Sequence, residues 1–157
     1  MSKVTPFLWF DTEAEEAANF YVGLFPNSKI TAASRYGDAG PGPKGSVMTI
    51  AFELDGRPFT ALNAGPVFKF NEAVSFVIDC EDQAEVDRYW DALTANGGQP
   101  SQCGWLKDRF GLSWQVVPKA LPSLIGGPDG AKAQKAMAAM LKMTKLDIAA
   151  LEAAREA

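Results

Sequence analysis

The chain contains no histidine, which removes the commonest neutral metal ligand and the usual acid/base group near pH 7. Serine–histidine and cysteine–histidine hydrolases are therefore excluded. Chemistry is left to carboxylates, two cysteines and scattered amides and hydroxyls. Asp79 and Glu53, near the ends of strand-like runs, are the carboxylates to weigh as a proton-transfer pair. Solvated strand ends are the plainer reading, because unpaired carboxylates are seldom buried. Cys80 and Cys103 make no CxxC motif, and their number fits free thiols in a reducing compartment better than a disulfide framework. Cys103 would need a lysine or a helix terminus to become reactive. Two segments are rich in glycine. "GDAGPGPKG" (residues 37–45) precedes a strand rather than opening a helix, so it lacks the backbone N–H groups that hold a phosphate, and a mobile loop is expected there. "GGPDG" (126–130) precedes a helix without the buried strand that a nucleotide fingerprint requires.

The elements that would position these groups follow from hydrophobic periodicity. "VTPFLWF" (4–10) reads as a strand, and "EAEEAANFYVGLF" (13–25) as a helix with apolar residues at Ala17, Phe20, Tyr21 and Leu24. "SKITAASRY" (28–36), "SVMTIAFEL" (46–54) and "RPFTALN" (57–63) read as strands, the last two joined by an Asp55-Gly56 hairpin turn. The order then repeats. "AVSFVID" (73–79) is a strand, the helix "DQAEVDRYWDALTAN" (82–96) ends at Gly97-Gly98, and short strands follow near 100–103, 105–108 and 112–117. At one constant offset Phe20-Tyr21 falls on Tyr89-Trp90, Leu24 on Leu93, Phe7 on Phe76 and Trp9 on Ile78. Two βαβββ modules, about 1–66 and 67–125, are thus expected to form one α+β domain. Each has a bare sheet face, so edge-to-edge packing of the two is expected. A helical tail over 126–157 carries a stripe of Ala133, Met137, Met140 and Leu141 suited to core or subunit packing, with Asp147 as cap of a final helix.

The 157 residues, 47% of them hydrophobic, suffice for a core without staples. A net charge of −4 with scattered basic residues lacks the footprint of a nucleic-acid binder. No apolar run reaches the ~20 residues of a bilayer span, and no signal-peptide layout precedes the first strand. The expectation is a cytoplasmic protein with neither nucleic acid nor membrane as partner.

The doubled βαβββ order resembles the vicinal oxygen chelate superfamily, which includes glyoxalase I, extradiol dioxygenases and bleomycin-resistance proteins. "PFLWFDTEAEEAANFYVGLFPNSKI", "ALNAGPVFKFNEAVSFVIDC", "DRFGLSWQVVP" and "AMLKMTKLDIAALEAA" are similar to its PhnB-like branch, often labelled as a 3-demethylubiquinone-9 3-methyltransferase domain. The resemblance implies a cupped sheet, a homodimer, and in metal-using relatives four inward ligands. Those positions correspond here to Pro6, Ala61 or Asn63, Ser75 and Gln115, none of them an imidazole, carboxylate or thiolate. One amide and one hydroxyl do not make a divalent-cation site, so no metal and no other cofactor is expected.

Strand alternation then sorts the faces. With Ser75 and Gln115 in the cup, Val77, Asp79, Ser113 and Val117 join them, while Phe76, Ile78, Trp114 and Val116 face the helix. In the first module Leu8, Phe10, Thr49, Ala51 and Asn63 are placed inward, and Trp9 and Leu62 outward. Asn63, Ser75, Gln115, Phe10 and Thr49 are the expected ligand-binding residues, in an apolar bowl with a few neutral donors and acceptors. No catalytic residue is assigned. Two readings stay open: a metal-free binder of a small, mostly neutral molecule, and a metal-independent enzyme of proton transfer or rearrangement using Asn63, Gln115 and Asp79. The turn at Asp108-Arg109 is read as structural, and no motif supports methyl transfer.

Overall fold

The computed structural model describes residues 3–157, which fold as two compact units, one up to Phe70 and the other Asn71–Ala157. The first unit contains β1 (Phe7–Phe10), α1 (Ala14–Leu24), β2 (Lys29–Arg35), β3 (Val47–Leu54) and β4 (Arg57–Asn63). Its four strands lie in the order β1-β4-β3-β2, with β1 parallel to β4 and the other pairs antiparallel. Asp55 and Gly56 both take positive φ, 49° and 79°, as a two-residue hairpin turn matching the strand twist demands. Three buried alanines, Ala14, Ala17 and Ala18, let α1 lie close to the sheet. Beneath it Tyr21 stacks on Phe52 at 6.4 Å and Phe52 on Phe59 at 5.5 Å.

The second unit repeats the order with β5 (Ser75–Cys80), α2 (Gln83–Thr94), β6 (Gln99–Pro100), β7 (Trp105–Lys107) and β8 (Ser113–Pro118), arranged β5-β8-β7-β6. Asp82 caps α2 by accepting from the Glu85 N–H at 2.9 Å. Asn96 and Gly97, both at positive φ, turn the chain out of the helix. Val86, Tyr89, Trp90 and Leu93 form the buried side of α2. The expected mixed α+β fold with a repeated βαβββ order is thus present, as two sheets of four strands.

Three further helices, α3 (Leu121–Ile125), α4 (Gly130–Met140) and α5 (Ile148–Glu156), complete this unit. Leu124, Ala136 and Leu151 form a small core there, with Met140 and Met143 packed against it. Asp147 caps α5 as expected, accepting from the Ala150 N–H at 3.0 Å. The segment leading into α5 is tied to the module. Gln83 Nε2 donates to the Leu146 carbonyl at 3.0 Å and Gln83 Oε1 accepts from the Ile148 N–H at 2.8 Å. The Cys103 and Gly104 N–H groups donate to the Met143 and Thr144 carbonyls, each at 2.8 Å.

The modules differ in one detail with consequences for the site. Three residues separate β1 from α1, whereas two separate β5 from α2. The helices superpose at the expected offset, but the strands before them are displaced by one further residue. Because side chains alternate along a strand, that displacement exchanges the faces of β1.

Candidate functional site

In the second unit the strand faces are as the sequence indicates. Ser75, Val77 and Asp79 on β5 are in register with Ser113, Gln115 and Val117 on β8, and Gln115 and Ser113 with Trp105 and Lys107 on β7. The other face is the buried one, holding Ile78, Cys80, Trp114, Val116 and Leu106. Gln115 Nε2 donates to Ser75 Oγ at 3.0 Å, so two of the expected ligand-binding residues already meet. Val77 beside them is 55% exposed. At the β6–β7 end of the same face lies a recess of about 210 Å³, its wall including Glu72, Gln99, Trp105, Lys107 and Ser113. Lys107 and Glu72 form an ion pair there, and the Lys107 ammonium holds the Glu72 carboxyl below the usual carboxylate range. Trp105 and Lys107 were not among the expected site residues. Their register with Gln115 and Ser113 was the missing signal, obscured because β7 has only 3 residues.

In the first unit two expected site residues stand on the other face. Leu8 and Phe10 are in register with Ala61 and Asn63, and this is the face that α1 covers. Phe10 is 3% exposed and makes an edge contact with Phe70 at 5.2 Å. Asn63 serves the helix: its Oδ1 accepts from the Ala14 N–H at 2.8 Å, and its Nδ2 donates to the Val47 carbonyl at 3.2 Å. The amide thus satisfies one of the orphan donors at the start of α1, which has no side-chain cap from Glu13. Placement of Phe10 and Asn63 on the open face is corrected accordingly, as is that of Leu8. Thr49 does lie on the open face, in register with Leu62, and shares a 2.5 Å hydrogen bond with Ser34 Oγ. Trp9, expected on the helix side, joins Phe7 on this open face. Its Nε1 donates to the Gly65 carbonyl at 2.9 Å, and its ring meets Phe68 edge-on at 4.9 Å. Phe7 is 60% exposed.

Other candidates are engaged in the architecture. Asp108 is 3% exposed and accepts from the Phe110 and Leu112 N–H groups and from Trp114 Nε1, at 2.9, 3.1 and 2.9 Å. It is the structural turn expected. Burial pushes the Cys80 thiol up to about 12, so it remains protonated. Cys103 Sγ lies 3.5 Å from the Met140 carbonyl, and both cysteines are free. The 37–45 segment folds against Tyr36, whose hydroxyl donates to the Asn63 carbonyl. A Cβ on Gly42 would come within 2.2 Å of that ring, so the glycine is needed for close packing.

The family profile described as 3-demethylubiquinone-9 3-methyltransferase matches residues 2–117. The chain belongs to this family. A PhnB protein from Bacillus cereus given the same description is 36% identical over 74% of this chain and 99% of its own, with a TM-score of 0.68. A Pseudomonas aeruginosa protein is 22% identical over 75% of this chain and 98% of its own, TM-score 0.61. The fosfomycin resistance protein FosX from Listeria monocytogenes, 13% identical over 80% of this chain and 98% of its own, shares the fold at a TM-score of 0.57. No curated protein sequence matches the chain. This is a PhnB-like protein with the glyoxalase-type vicinal oxygen chelate fold.

The metal that many proteins of this fold employ does not suit the residues present. On the open faces Thr49, Thr60 and Gln115 stand within their strands and Ser75 opens β5, while the carboxylates Glu53 and Asp79 stand one residue from the ends of theirs. Among the described residues no three of His, Cys, Asp and Glu gather as a metal site. Neutral hydroxyls and one amide are poor ligands for a divalent ion.

Proposed function

We propose that this PhnB-like protein binds a small, mostly neutral organic molecule on its open sheet faces and acts without a metal, as a cytoplasmic homodimer. The Ser75–Gln115 pair beside exposed Val77 carries this reading: an uncharged donor and acceptor set in apolar surroundings is the usual make-up of a small-molecule wall. Thr49 and the Trp9–Phe68 cluster give the first unit's open face the same character. Homodimerisation is what the family resemblance implies, and the exposed apolar side chains on these faces favour burial against another surface. The cytoplasmic assignment rests on two free cysteines and on the absence, among the described residues, of a helix long and apolar enough to cross a membrane.

The enzymatic alternative requires a carboxylate whose proton affinity is raised by burial. Asp79 is exposed, which favours the binding reading. Methyl transfer, named in the family description, finds no donor-binding motif: residues 37–45 pack on Tyr36, and 126–130 lead into α4 from a short helix rather than from a strand. Native mass spectrometry of the purified protein tests the proposal. A metal-free dimer with or without a retained organic mass supports it. A stoichiometric divalent ion, or a monomer at micromolar concentration, defeats the metal-free or dimeric part respectively.

A further inference from the structure

Ser113, at the floor of the recess on β7 and β8, is 1% exposed, and its Oγ has no hydrogen-bond partner among the described residues. Burial of an unpaired hydroxyl is unfavourable, and alanine would fill nearly the same space without that cost. Two neighbouring polar pairs are already engaged with each other. Ser75 Oγ receives Gln115 Nε2, and Lys107 Nζ is paired with Glu72. Ser113 Oγ is itself buried, so meeting a ligand in the recess requires a change of χ1 rotamer, one that costs it no existing hydrogen bond. Because Lys107 is matched by Glu72, the wall around it carries no net charge. Trp105 adds an aromatic surface, and about 210 Å³ lies below the ~300–1,000 Å³ of drug-sized pockets, enough for one ring with a substituent.

We propose that this recess anchors a single carbonyl oxygen borne on an uncharged planar ring, with Ser113 Oγ–H as its donor and Trp105 alongside the ring. This rests on the reading of the open face as the ligand face, and specifies the chemistry recognised there.

The test is an amide-resolved NMR titration of the full chain with benzamide, benzoate and toluene. Benzamide is expected to shift Trp105, Lys107 and Ser113, and Ser113→Ala to weaken it about tenfold, the worth of one hydrogen bond. Toluene binding should be indifferent to that substitution. The free Ser113→Ala protein should melt no lower than the parent, since the hydroxyl has no partner to lose. Benzoate binding tighter than benzamide would overturn the uncharged class. An unchanged benzamide affinity in Ser113→Ala would overturn the anchor. Shifts confined to Ser75, Val77 and Gln115 would defeat this inference and leave the ligand-face proposal standing, whereas no shift anywhere on the open faces would count against both.

Discussion

Asn63 and Asp108 show how a polar side chain that looks like a site can be part of the frame. Asn63 connects β4 to the first turn of α1 and to Val47, so Asn63→Ala should lower stability by about 1–2 kcal/mol in urea unfolding. Asn63→Asp retains an acceptor for the Ala14 N–H and should recover part of that loss. Asp108 presents a buried carboxylate to three donors. Asp108→Ala strands all of them and should cost about 3 kcal/mol or more. Gln115→Ala breaks only a partly exposed amide–hydroxyl bond, and its unfolding free energy should change by less than ~1 kcal/mol while ligand binding falls. Asp108 was legible as a turn because Asp108-Arg109 resembles the family's turn before the last strand, where a structural role is the plainer reading. Asn63 was not, because a helix cap supplied from a distant strand leaves no local pattern.

At the scale of elements, the order of strands and helices could be read from periodicity, and the faces of β3, β5 and β8 from alternation. The faces of β1 and β4 could not be carried over from the repeat. The offset was set by the aromatic helix positions, and one additional residue before α1 puts Leu8, rather than Trp9, in the phase of Ile78. Docking of the tail was equally hidden, since its anchor is the side chain of Gln83 on α2 reaching the Leu146 carbonyl and the Ile148 N–H. Gln83→Ala should raise hydrogen exchange across residues 144–157 and leave β8 protected; uniform loss of protection would mean that the tail and module open together. A second tie is the ion pair of Lys145 with Asp87 at 2.9 Å. Lys145, helped by Gln83, holds the Asp87 carboxyl below its ordinary value, and Asp87 raises the Lys145 ammonium. The carboxylate's contribution is present above its unfolded value near ~4 and is lost as pH falls through the lower folded value. The ammonium's is present below its unfolded value near ~10.4 and is lost as pH rises through the higher folded one. Both groups are substantially exposed, so the effect is small. The difference in melting temperature between the parent and Lys145→Ala should be greatest between about pH 5 and 9 and should vanish in strong acid.

For the whole molecule, the repeated fold raises the question of whether a divalent ion belongs to it, and stability answers this independently of any assay for activity. An ion that binds the folded chain and not the unfolded one stabilises it by RT ln(1 + [L]/Kd), about 2.7 kcal/mol at one hundred times Kd. For a protein of this size that corresponds to a rise in Tm of roughly 5–10 °C. The open faces offer hydroxyls and an amide; of the carboxylates, Glu72 is paired with Lys107, and Glu53 and Asp79 belong to different strands of different units. The chain has no histidine, and Cys80 lies on the buried face of its sheet with its thiol kept protonated. Manganese, nickel or zinc at 1 mM, about a thousand times a micromolar Kd, should therefore leave Tm within ~1 °C of the value in chelator. A rise of several degrees that Gln115→Ala abolishes would restore the metal chemistry of the superfamily to this protein. A rise that survives Gln115→Ala would place the ion elsewhere and leave the neutral character of the open face intact.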